Sequence, residues 1–443
     1  MKAPLLFALF AFGTTFLHAQ DHYSGINTSK RVGILNSAIN PAELSNLKND
    51  YEINLFSLSL NVANNKITFK DIVNGDNTEE LIFSGDKAVN MRLDAEITGP
   101  AFAFKLDKWA FAISSSAKIK ADIIDVNSHL GNALLNGDDI PAFGTLINAD
   151  YNQRAAAISW GEIGFSGARH LFENENNRFT GGVTFKLLFP GSYLNMAASG
   201  FRGTITPENR LENAHAQLNI AYSGSLAEGF TETEHFTKAF AGGLNGFSTD
   251  LGINYQWKDT ESSGYKLNAG IAVRNLGSMK FKDDNNVSQN YRLDISGAQS
   301  LDLELFEDVE TPQEIEDILV NSGYVEIQDT KKNFKTKLPA LFSAYVDFKV
   351  HNNWHITAYT QQKLNEDNNN DQISTQNIVT FTPRYSANFF EAYVPLSYNE
   401  ISDFTAGIGF RLGGFFIGSG SLLSAAISDT YQADAYFGFR FGF

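Results

Sequence analysis

The 443-residue chain contains no cysteine and has no segment rich in basic residues. Without cysteine it can form neither disulfide bridges nor thiolate metal sites. Its 34 Lys and Arg residues are dispersed among 50 Asp and Glu residues, so no basic stripe is available to follow a phosphate backbone. Nucleic acid is therefore not an expected partner, and the net charge of −16 is interpreted as a solvated loop surface.

Long apolar runs are also missing. After Gln20 no run reaches the roughly 20 residues that a transmembrane helix needs. The apolar run 5–17 is shorter still; it follows Lys2, and its last residue begins the small-residue cleavage site Leu17-His18-Ala19. This layout is typical of a secretory leader over residues 1–19, cleaved near Ala19. The alternative interpretation is a buried N-terminal helix.

Phenylalanine and glycine, in contrast, are abundant, with 37 and 36 residues. The C-terminal strand places Ala435, Phe437, Phe439, Phe441 and Phe443 on one face, because strand side chains alternate. On a soluble sheet this face would be an exposed apolar patch. In a transmembrane barrel it meets lipid. A terminal Phe also resembles the sorting signal of bacterial outer-membrane barrels, which implies outer-membrane lipid and the barrel-assembly machinery as partners.

Strands of 8 to 12 residues separated by polar turns are predicted from Tyr51 to the end of the chain. The runs 56–62, 91–97 and 342–350 alternate between apolar and polar residues. Together with fainter segments they predict an all-β fold, a closed antiparallel transmembrane β-barrel of roughly 14 strands over residues 51–443. A soluble sandwich or propeller is the alternative, although no repeat of about 40 residues is visible.

Residues 278–333 interrupt this pattern and are too long for a periplasmic turn. Thr311, Pro312 and Glu314 have the spacing of a helix N-cap, a first-turn proline and a capping box. Apolar residues then share one helical face, and Gly323 can end the helix. The sequence therefore predicts one short helix inside a loop insertion, packed against the lumen mouth or the inner barrel wall.

The N-terminal segment 20–50 is polar and irregular, and it contains Asn40-Pro41-Ala42. This tripeptide resembles the hatch motif of FadL-type barrels, a superfamily to which PorV-type barrels are also similar. Arg274-Asn275-Leu276-Gly277 and Leu338-Pro339-Ala340 resemble strand ends of those barrels. The runs 406–419 and 435–442 resemble the C-terminal hairpins of the DUF5723 family of Bacteroidota. These resemblances imply a FadL-like barrel whose segment 20–50 forms a hatch or plug.

No catalytic, cofactor-binding or metal site is predicted, and the chain is not expected to be an enzyme. The histidines are scattered, and His351 and His355 flank an apparent turn, where both are expected to be exposed. The run 365–371 is rich in carboxylate and amide oxygens but lacks the glycine and distal glutamate of an EF-hand loop. An external hairpin loop is the preferred interpretation of this run.

Two functions remain open for a protein with this leader and fold, both in the bacterial outer membrane. In the first, a FadL-like barrel binds or passes hydrophobic or amphipathic small molecules through a lumen gated by segment 20–50. Its lumen is then expected to be lined by Phe and Leu, since ligand pockets are mostly apolar. In the second, a plugged, PorV-like barrel acts as a scaffold or shuttle for a secreted or envelope protein.

Overall fold

The computed structural model describes residues 22–75, 77–135, 140–229, 242–260 and 264–443. The leader predicted over residues 1–19 lies outside this part of the chain. The strands are β1 (Tyr51–Asn64), β2 (Val89–Thr98), β3 (Ala101–Leu106), β4 (Trp109–Val126), β5 (Thr145–Glu173), β6 (Asn177–Ile205), β7 (Arg210–Ser223), β8 (Gly246–Asp259), β9 (Gly264–Phe281), β10 (Val287–Asp294), β11 (Ser300–Asp302), β12 (Val325–Lys331), β13 (Phe334–Lys337), β14 (Leu341–His351), β15 (Trp354–Lys363), β16 (Ile378–Ser386), β17 (Phe390–Tyr393), β18 (Leu396–Asn399), β19 (Asp403–Ala406), β20 (Ile408–Leu412), β21 (Phe415–Ser419) and β22 (Gln432–Gly442).

Antiparallel pairing among these strands closes a ring of 14 hydrogen-bonded strands. Its order is β1, β2 with β3, β4, β5, β6, β8, β9, β14, β15, β16, β17 with β18, β20 with β19, β21 and β22. Three positions are each shared by two short strands, because Gly99-Pro100, Val394-Pro395 and Gly407 interrupt the ladder. Proline cannot donate to a ladder, and glycine permits a bend. The predicted barrel of roughly 14 strands is confirmed.

The ring closes where the first strand meets the last. β1 pairs with β22 in a register that sets Ser57 opposite Gly438. At the end of this seam where β1 begins, Tyr51 and Phe443 exchange two backbone hydrogen bonds of 3.0 Å. No strand edge is left open within the ring, which satisfies the backbone of a wall in contact with lipid.

The outer face of the ring is apolar. Large hydrophobic side chains are exposed on nearly every strand, for example Phe165, Val183, Ile253, Val346 and Phe381. Aromatic pairs surround one end of the barrel: Tyr51 with Phe443 at 5.7 Å, Trp109 with Phe111 at 5.9 Å, and Trp354 with Tyr385 at 5.3 Å between ring centroids. Such a band with an aromatic girdle is how a barrel wall meets a bilayer.

The two ends of the barrel differ in their connections. Tight turns join strands at the end that carries both the start of β1 and the end of β22, as at Asp107-Lys108. Long connections emerge at the opposite end, which we call the loop end. They contain the helices α1 (Phe69–Asn74), α2 (Thr78–Ile82), α3 (Ser128–Leu135), α4 (Pro312–Ser322) and α5 (Leu422–Ile427), and the 3₁₀ turns Gly224–Ala227 and Glu304–Phe306. None of the described helices is long and apolar enough to cross a membrane.

Strands β5 and β6 have 29 residues each and continue past the ring at the loop end. A strand needs only about 9–11 residues to cross a bilayer, so the predicted length of 8 to 12 residues fails here. Residues 177–188 of β6 pair with β8, and residues 193–205 of β6 pair with β7. β7 then pairs with β10, and β10 pairs with β12. These strands continue the same sheet beyond the ring, and we call this extension the loop-end module.

Helix α4 packs on this module. Its buried residues Ile315 and Leu319 join a hydrophobic cluster with Leu211 of β7, Tyr291 of β10 and Leu130 of α3. The apolar partner of the helix is therefore the extramembrane sheet, and the expected packing against the lumen mouth or inner wall was wrong. The sequence pattern does not reveal this, because alternation continues along β5 and β6 without a change at the membrane boundary.

Candidate functional site

Residues 22–50 lie inside the ring and contact strands on opposite sides of it. Two 3₁₀ turns, Gly33–Ala38 and Pro41–Asn46, shape this inner segment. Asn40 initiates the second turn: its side-chain oxygen accepts a hydrogen bond of 2.9 Å from the backbone N–H of Ala42, and Pro41 occupies the first position. The Asn-Pro-Ala tripeptide therefore forms a compact capped turn rather than an extended strand.

This turn sits on a patch of the wall that has no side chains. A Cβ atom at Gly182 of β6 would lie 2.6 Å from the carbonyl oxygen of Pro41. A Cβ atom at Gly270 of β9 would lie 2.5 Å from Nδ2 of Asn40, and Gly252 of β8 is equally crowded. Glycine at these three neighbouring positions is what allows the inner segment to reach the wall.

Polar wall residues then fix the turn in place. Asn40 Nδ2 donates a hydrogen bond of 2.9 Å to the carbonyl oxygen of Ile253. The buried carboxylate of Glu43 accepts from Asn254 at 3.0 Å and from Asn268 at 2.8 Å, and also from the hydroxyl of Tyr345. These groups point inward from β8, β9 and β14, so one side of the segment is bonded across three adjacent strands.

The start of the segment is bonded to the other side of the ring. Tyr436 of β22 donates a hydrogen bond of 2.6 Å to the carbonyl oxygen of Ser24. The Ser29 hydroxyl donates at 2.8 Å to Glu391 of β17, which in turn pairs with Arg411 at 2.6 Å. Attachment to both sides means that the segment spans the lumen.

A second stretch enters the barrel from the loop end. In the β15–β16 loop, residues 364–377, all five residues from 372 to 376 are buried. Arg154 of β5 donates to the carbonyl oxygens of Asp367 at 2.9 Å and Gln372 at 3.0 Å. Arg92 of β2 donates at 2.6 Å to the hydroxyl of Ser374. The loop predicted to be an external hairpin, including residues 365–371, is therefore folded back over the lumen mouth, because Arg154 binds two of its backbone carbonyls and Arg92 binds the hydroxyl of Ser374.

The inner segment and the β15–β16 loop leave a cavity of about 160 Å³ between them. One wall of this cavity carries a ladder of alternating charges. Lys118 lies 3.2 Å from Glu96 and 3.7 Å from Glu162, and Lys186 lies 3.8 Å from Glu162 and 2.8 Å from Asp250. The ladder crosses β2, β4, β5, β6 and β8.

His22 extends this ladder toward the inner segment. Its Nε2 lies 3.0 Å from Asp94 and 3.9 Å from Glu96, and Asp94 is also paired with Lys120. The inner segment thus contacts the charged wall directly. Each charge in the ladder has an opposite neighbour, which buried charges require.

The remaining surface of the cavity is apolar and comes largely from the inner segment and the far wall. It includes Ile34, Leu35 and Ile39 of the inner segment and Leu341 and Ile378 of the barrel. The expectation of a lumen lined by Phe and Leu therefore fails in two respects. One wall of the cavity is charged, and most aromatic residues face outward. The cavity is amphipathic: charged on one side and aliphatic on the other.

The C-terminal strand has the expected facing. Ala435, Phe437, Phe439, Phe441 and Phe443 point away from the lumen, whereas alternate residues of β22 are buried inside. Their role in barrel sorting stays a prediction. In the insertion, Thr311 accepts from the backbone N–H of Glu314 at 3.2 Å and forms a capping box around Pro312.

The histidine interpretation requires one correction. His351 is exposed, but His355 is only 5% exposed and faces the lumen from β15. Its Nδ1 lies 3.6 Å from Asp347, which binds Arg384 at 2.8 Å. The apparent turn ends one residue earlier than assumed, so strand alternation directs this ring inward. Within the described ranges, no group of three or more His, Asp or Glu side chains is arranged to hold a metal ion.

A closed barrel with an apolar outer face, a charged interior and an N-terminal segment inside its lumen defines the class: an integral membrane β-barrel. Within that class, the chain belongs to DUF5723, a family of unknown function, whose profile matches residues 41–420. The resemblance to the DUF5723 family is thereby confirmed.

Comparison with solved structures finds the toluene transporter TbuX of Ralstonia pickettii, at 12% identity and a TM-score of 0.45 over 93% of this chain and 94% of that one. The toluene transporter TodX of Pseudomonas putida gives 10% identity and a TM-score of 0.39 over 97% and 100%. A FadL homologue of Pseudomonas aeruginosa gives 9% and 0.39 over 96% and 98%. No curated protein matches the chain. The assignment of the fold therefore rests on the ring of strands itself.

Proposed function

We propose that this protein is a gated outer-membrane channel that binds or passes amphipathic small molecules, with segment 20–50 acting as its hatch. The observation that carries the proposal is the inner segment itself, which crosses the lumen and leaves an amphipathic cavity behind it. A barrel built only as a rigid scaffold has no need for such a cavity.

The way the inner segment is held supports a gate. Its tripeptide rests on Gly182, Gly252 and Gly270, and the turn is hydrogen-bonded to β8, β9 and β14. On its other side, Leu44 packs only against small alanine side chains of β3, β4 and β5. A typical hydrogen bond contributes only about 0.5–1.5 kcal/mol net, so losing a few of them would loosen the hydrogen-bonded side of the turn without unfolding the wall. Water entering the lumen would then hydrate the polar wall residues that the turn had covered.

The proposal is tested by loosening the hatch without touching the wall. Asn40→Ala removes the cap of the turn and its bond to Ile253. Proteoliposomes carrying this variant are expected to swell faster in small amphipathic solutes than those carrying the parent protein. Asn353→Ala, in the exposed β14–β15 turn, is the matched control and should swell at the parental rate.

Hydrogen exchange measured on the same samples separates the outcomes. If Asn40→Ala exposes the amides of residues 41–46 but solute flux stays at the parental level, the channel proposal is wrong. If exchange and flux rise together, and neither rises in Asn353→Ala, the hatch role is supported.

A scaffold or shuttle for a secreted or envelope protein is the second candidate, and the loop-end module is the observation that favours it. Strand β12 forms one edge of this module, pairing with β10, and Ile327 on it is 53% exposed. Native mass spectrometry of protein extracted gently from its own membrane distinguishes the candidates. A stoichiometric protein partner that Ile327→Lys abolishes would favour the scaffold; a retained small-molecule adduct would favour the channel.

A further inference from the structure

The inner segment presents two cationic side chains at the end of the barrel opposite the loop end. Both reach Asn388, which lies in the tight turn between β16 and β17. Nη2 of Arg31 donates to the side-chain oxygen of Asn388 at 3.1 Å, and Nζ of Lys48 donates to the same oxygen at 3.3 Å. Two like charges therefore converge on one neutral acceptor.

Three wall cations beside the segment are neutralised by the barrel itself. The pairs are Arg411 with Glu391 at 2.6 Å, Arg440 with Glu52 at 2.7 Å, and Lys105 with Asp50 at 3.3 Å. Arg31 and Lys48, in contrast, have no carboxylate partner among the described residues; besides Asn388, Arg31 binds the hydroxyl of Ser386 at 3.0 Å. They add two unbalanced positive charges to a chain that carries −16 overall.

The two unbalanced cations can be reached from solvent. Lys48 is exposed, and Arg31 is half-buried. Partial burial lowers the pKa of the Lys48 ammonium below its usual value, and the positive charges of Arg31, Arg411 and Arg440 lower it further. The potential at this mouth of the barrel is therefore positive, even though the neighbouring ion pairs are neutral.

A carboxylate suits this pair of cations better than the amide of Asn388 does. Hydrogen bonds between ionised partners are shorter and stronger than those to a neutral acceptor, and a guanidinium group matches the geometry of a carboxylate. One exposed ion pair is nevertheless worth little, because solvent screens it. A ligand must therefore present several carboxylates together, as an acidic polypeptide does and a small monovalent solute does not.

We propose that the underside of the inner segment, formed by Arg31 and Lys48, docks an acidic segment of a periplasmic polypeptide. The short turns of outer-membrane barrels face the periplasm, so this end is open to such a partner. Its carboxylates replace the side-chain oxygen of Asn388 and detach the segment from the β16–β17 turn. Docking goes beyond the proposed channel; only its consequence, a looser hatch, rests on that proposal.

Fluorescence anisotropy of a labelled oligoglutamate peptide tests the charge of the partner. The titration uses the purified full-length protein in a neutral detergent, with oligoglutamine and oligolysine of equal length as comparison peptides. Oligoglutamate is expected to bind at least about tenfold more tightly than either, because it alone forms both ion pairs. Its affinity should fall as salt rises, since exposed charges are screened. Free inorganic phosphate, used as competitor, tests whether a polypeptide is needed.

Three variants and one control test the residues. Lys48→Gln should weaken oligoglutamate binding about two- to fivefold, and its combination with Arg31→Gln should weaken it about tenfold. Asn388→Ala removes the competing acceptor and should tighten binding about two- to fivefold, a gain that a purely structural role of the cations does not predict. Lys108→Gln, an exposed cation in the β3–β4 turn at the same end, should bind like the parent protein. Lys48→Gln and Asn388→Ala change exposed side chains, so both should fold normally.

The outcomes separate this inference from the channel proposal. Equal binding of oligoglutamate and oligoglutamine, or parental affinity in both Lys48→Gln and Asn388→Ala, would overturn the docking site even if Asn40→Ala still raised flux. Displacement of the peptide by an equal concentration of phosphate would reduce the underside to a simple anion site and overturn the polypeptide partner. Tight oligoglutamate binding that Lys48→Gln weakens, with no flux in any hatch variant, would keep the docking site but sink the channel.

Discussion

The contact between Asn-Pro-Ala and the glycine patch gives the sharpest prediction. Replacing Gly182 with alanine adds a single methyl group, and its Cβ atom would lie 2.6 Å from the carbonyl oxygen of Pro41 and as close to the backbone of Ala42. Neither obstacle is a flexible side-chain end, so the turn itself has to move away. The barrel wall on the other side of the strand is unaffected.

The size of the effect follows from what the turn loses. Overpacking by one methyl group in a tight contact costs about 1–3 kcal/mol. With a central value of about 2 kcal/mol, the displaced state of the turn becomes about 30-fold more populated. Because alanine is at least as well tolerated as glycine in a strand, stability of the wall should not fall.

Hydrogen exchange with mass spectrometry provides the assay. Peptides covering residues 41–46 of Gly182→Ala should exchange about 30-fold faster than in the parent protein, while peptides from β1 and β22 should not change. Gly167→Ala is the matched control, since its Cβ atom would meet only the ring of Phe111 at 3.9 Å. Hydrogen exchange at the parental rate in residues 41–46 of Gly182→Ala would refute the idea that Gly182, Gly252 and Gly270 provide the surface on which the hatch rests.

Three further perturbations have defined outcomes. Phe443→Ser removes the ring that stacks on Tyr51 and should stall insertion, giving periplasmic material that is not heat-modifiable on gels; normal insertion would contradict the role of the terminal strand. Thr311→Ala should destabilise helix α4 by about 1 kcal/mol, measured as faster hydrogen exchange in residues 312–322 but not in the barrel. Burial raises the pKa of the Glu316 carboxyl above its usual value, despite hydrogen bonds from two tyrosines. The folded module therefore holds this proton more tightly than the unfolded chain, so its stability should fall as pH rises above about 4.5. In chemical denaturation followed across pH, Glu316→Gln should flatten this dependence.

Much of the barrel could be predicted because it depends on local alternation. Asp94 and Glu96 stand at every second position of β2, so their direction into the lumen follows from strand geometry alone. Which lysine each one meets does not follow, because Lys118 and Lys120 approach only through the register between β2 and β4. The charge ladder is therefore visible in the sequence as polar positions but not as ion pairs.

The site was harder to predict than the barrel because it depends on contacts across the ring. Asn40-Pro41-Ala42 could be singled out, but its seat on Gly182 and Gly252 joins residues far apart in the sequence. Glycine in a strand is a weak signal, since it also marks bends. Nothing in the local sequence indicates that residues 372–376 fold inward. A polar loop of the same composition can be hydrated by solvent or hydrogen-bonded to wall arginines.

The inner segment has a consequence for the order in which the chain assembles. It lies between the start of the chain and β1, and it is bonded to β22 through Tyr436 and Ser24. The seam itself joins residue 57 to residue 438, almost the full length of the chain, so it is among the slowest contacts to form. The hydrogen bond from Tyr436 to Ser24 can form only when β22 is in place. Full attachment of the inner segment and closure of the seam are therefore coupled, late steps of assembly.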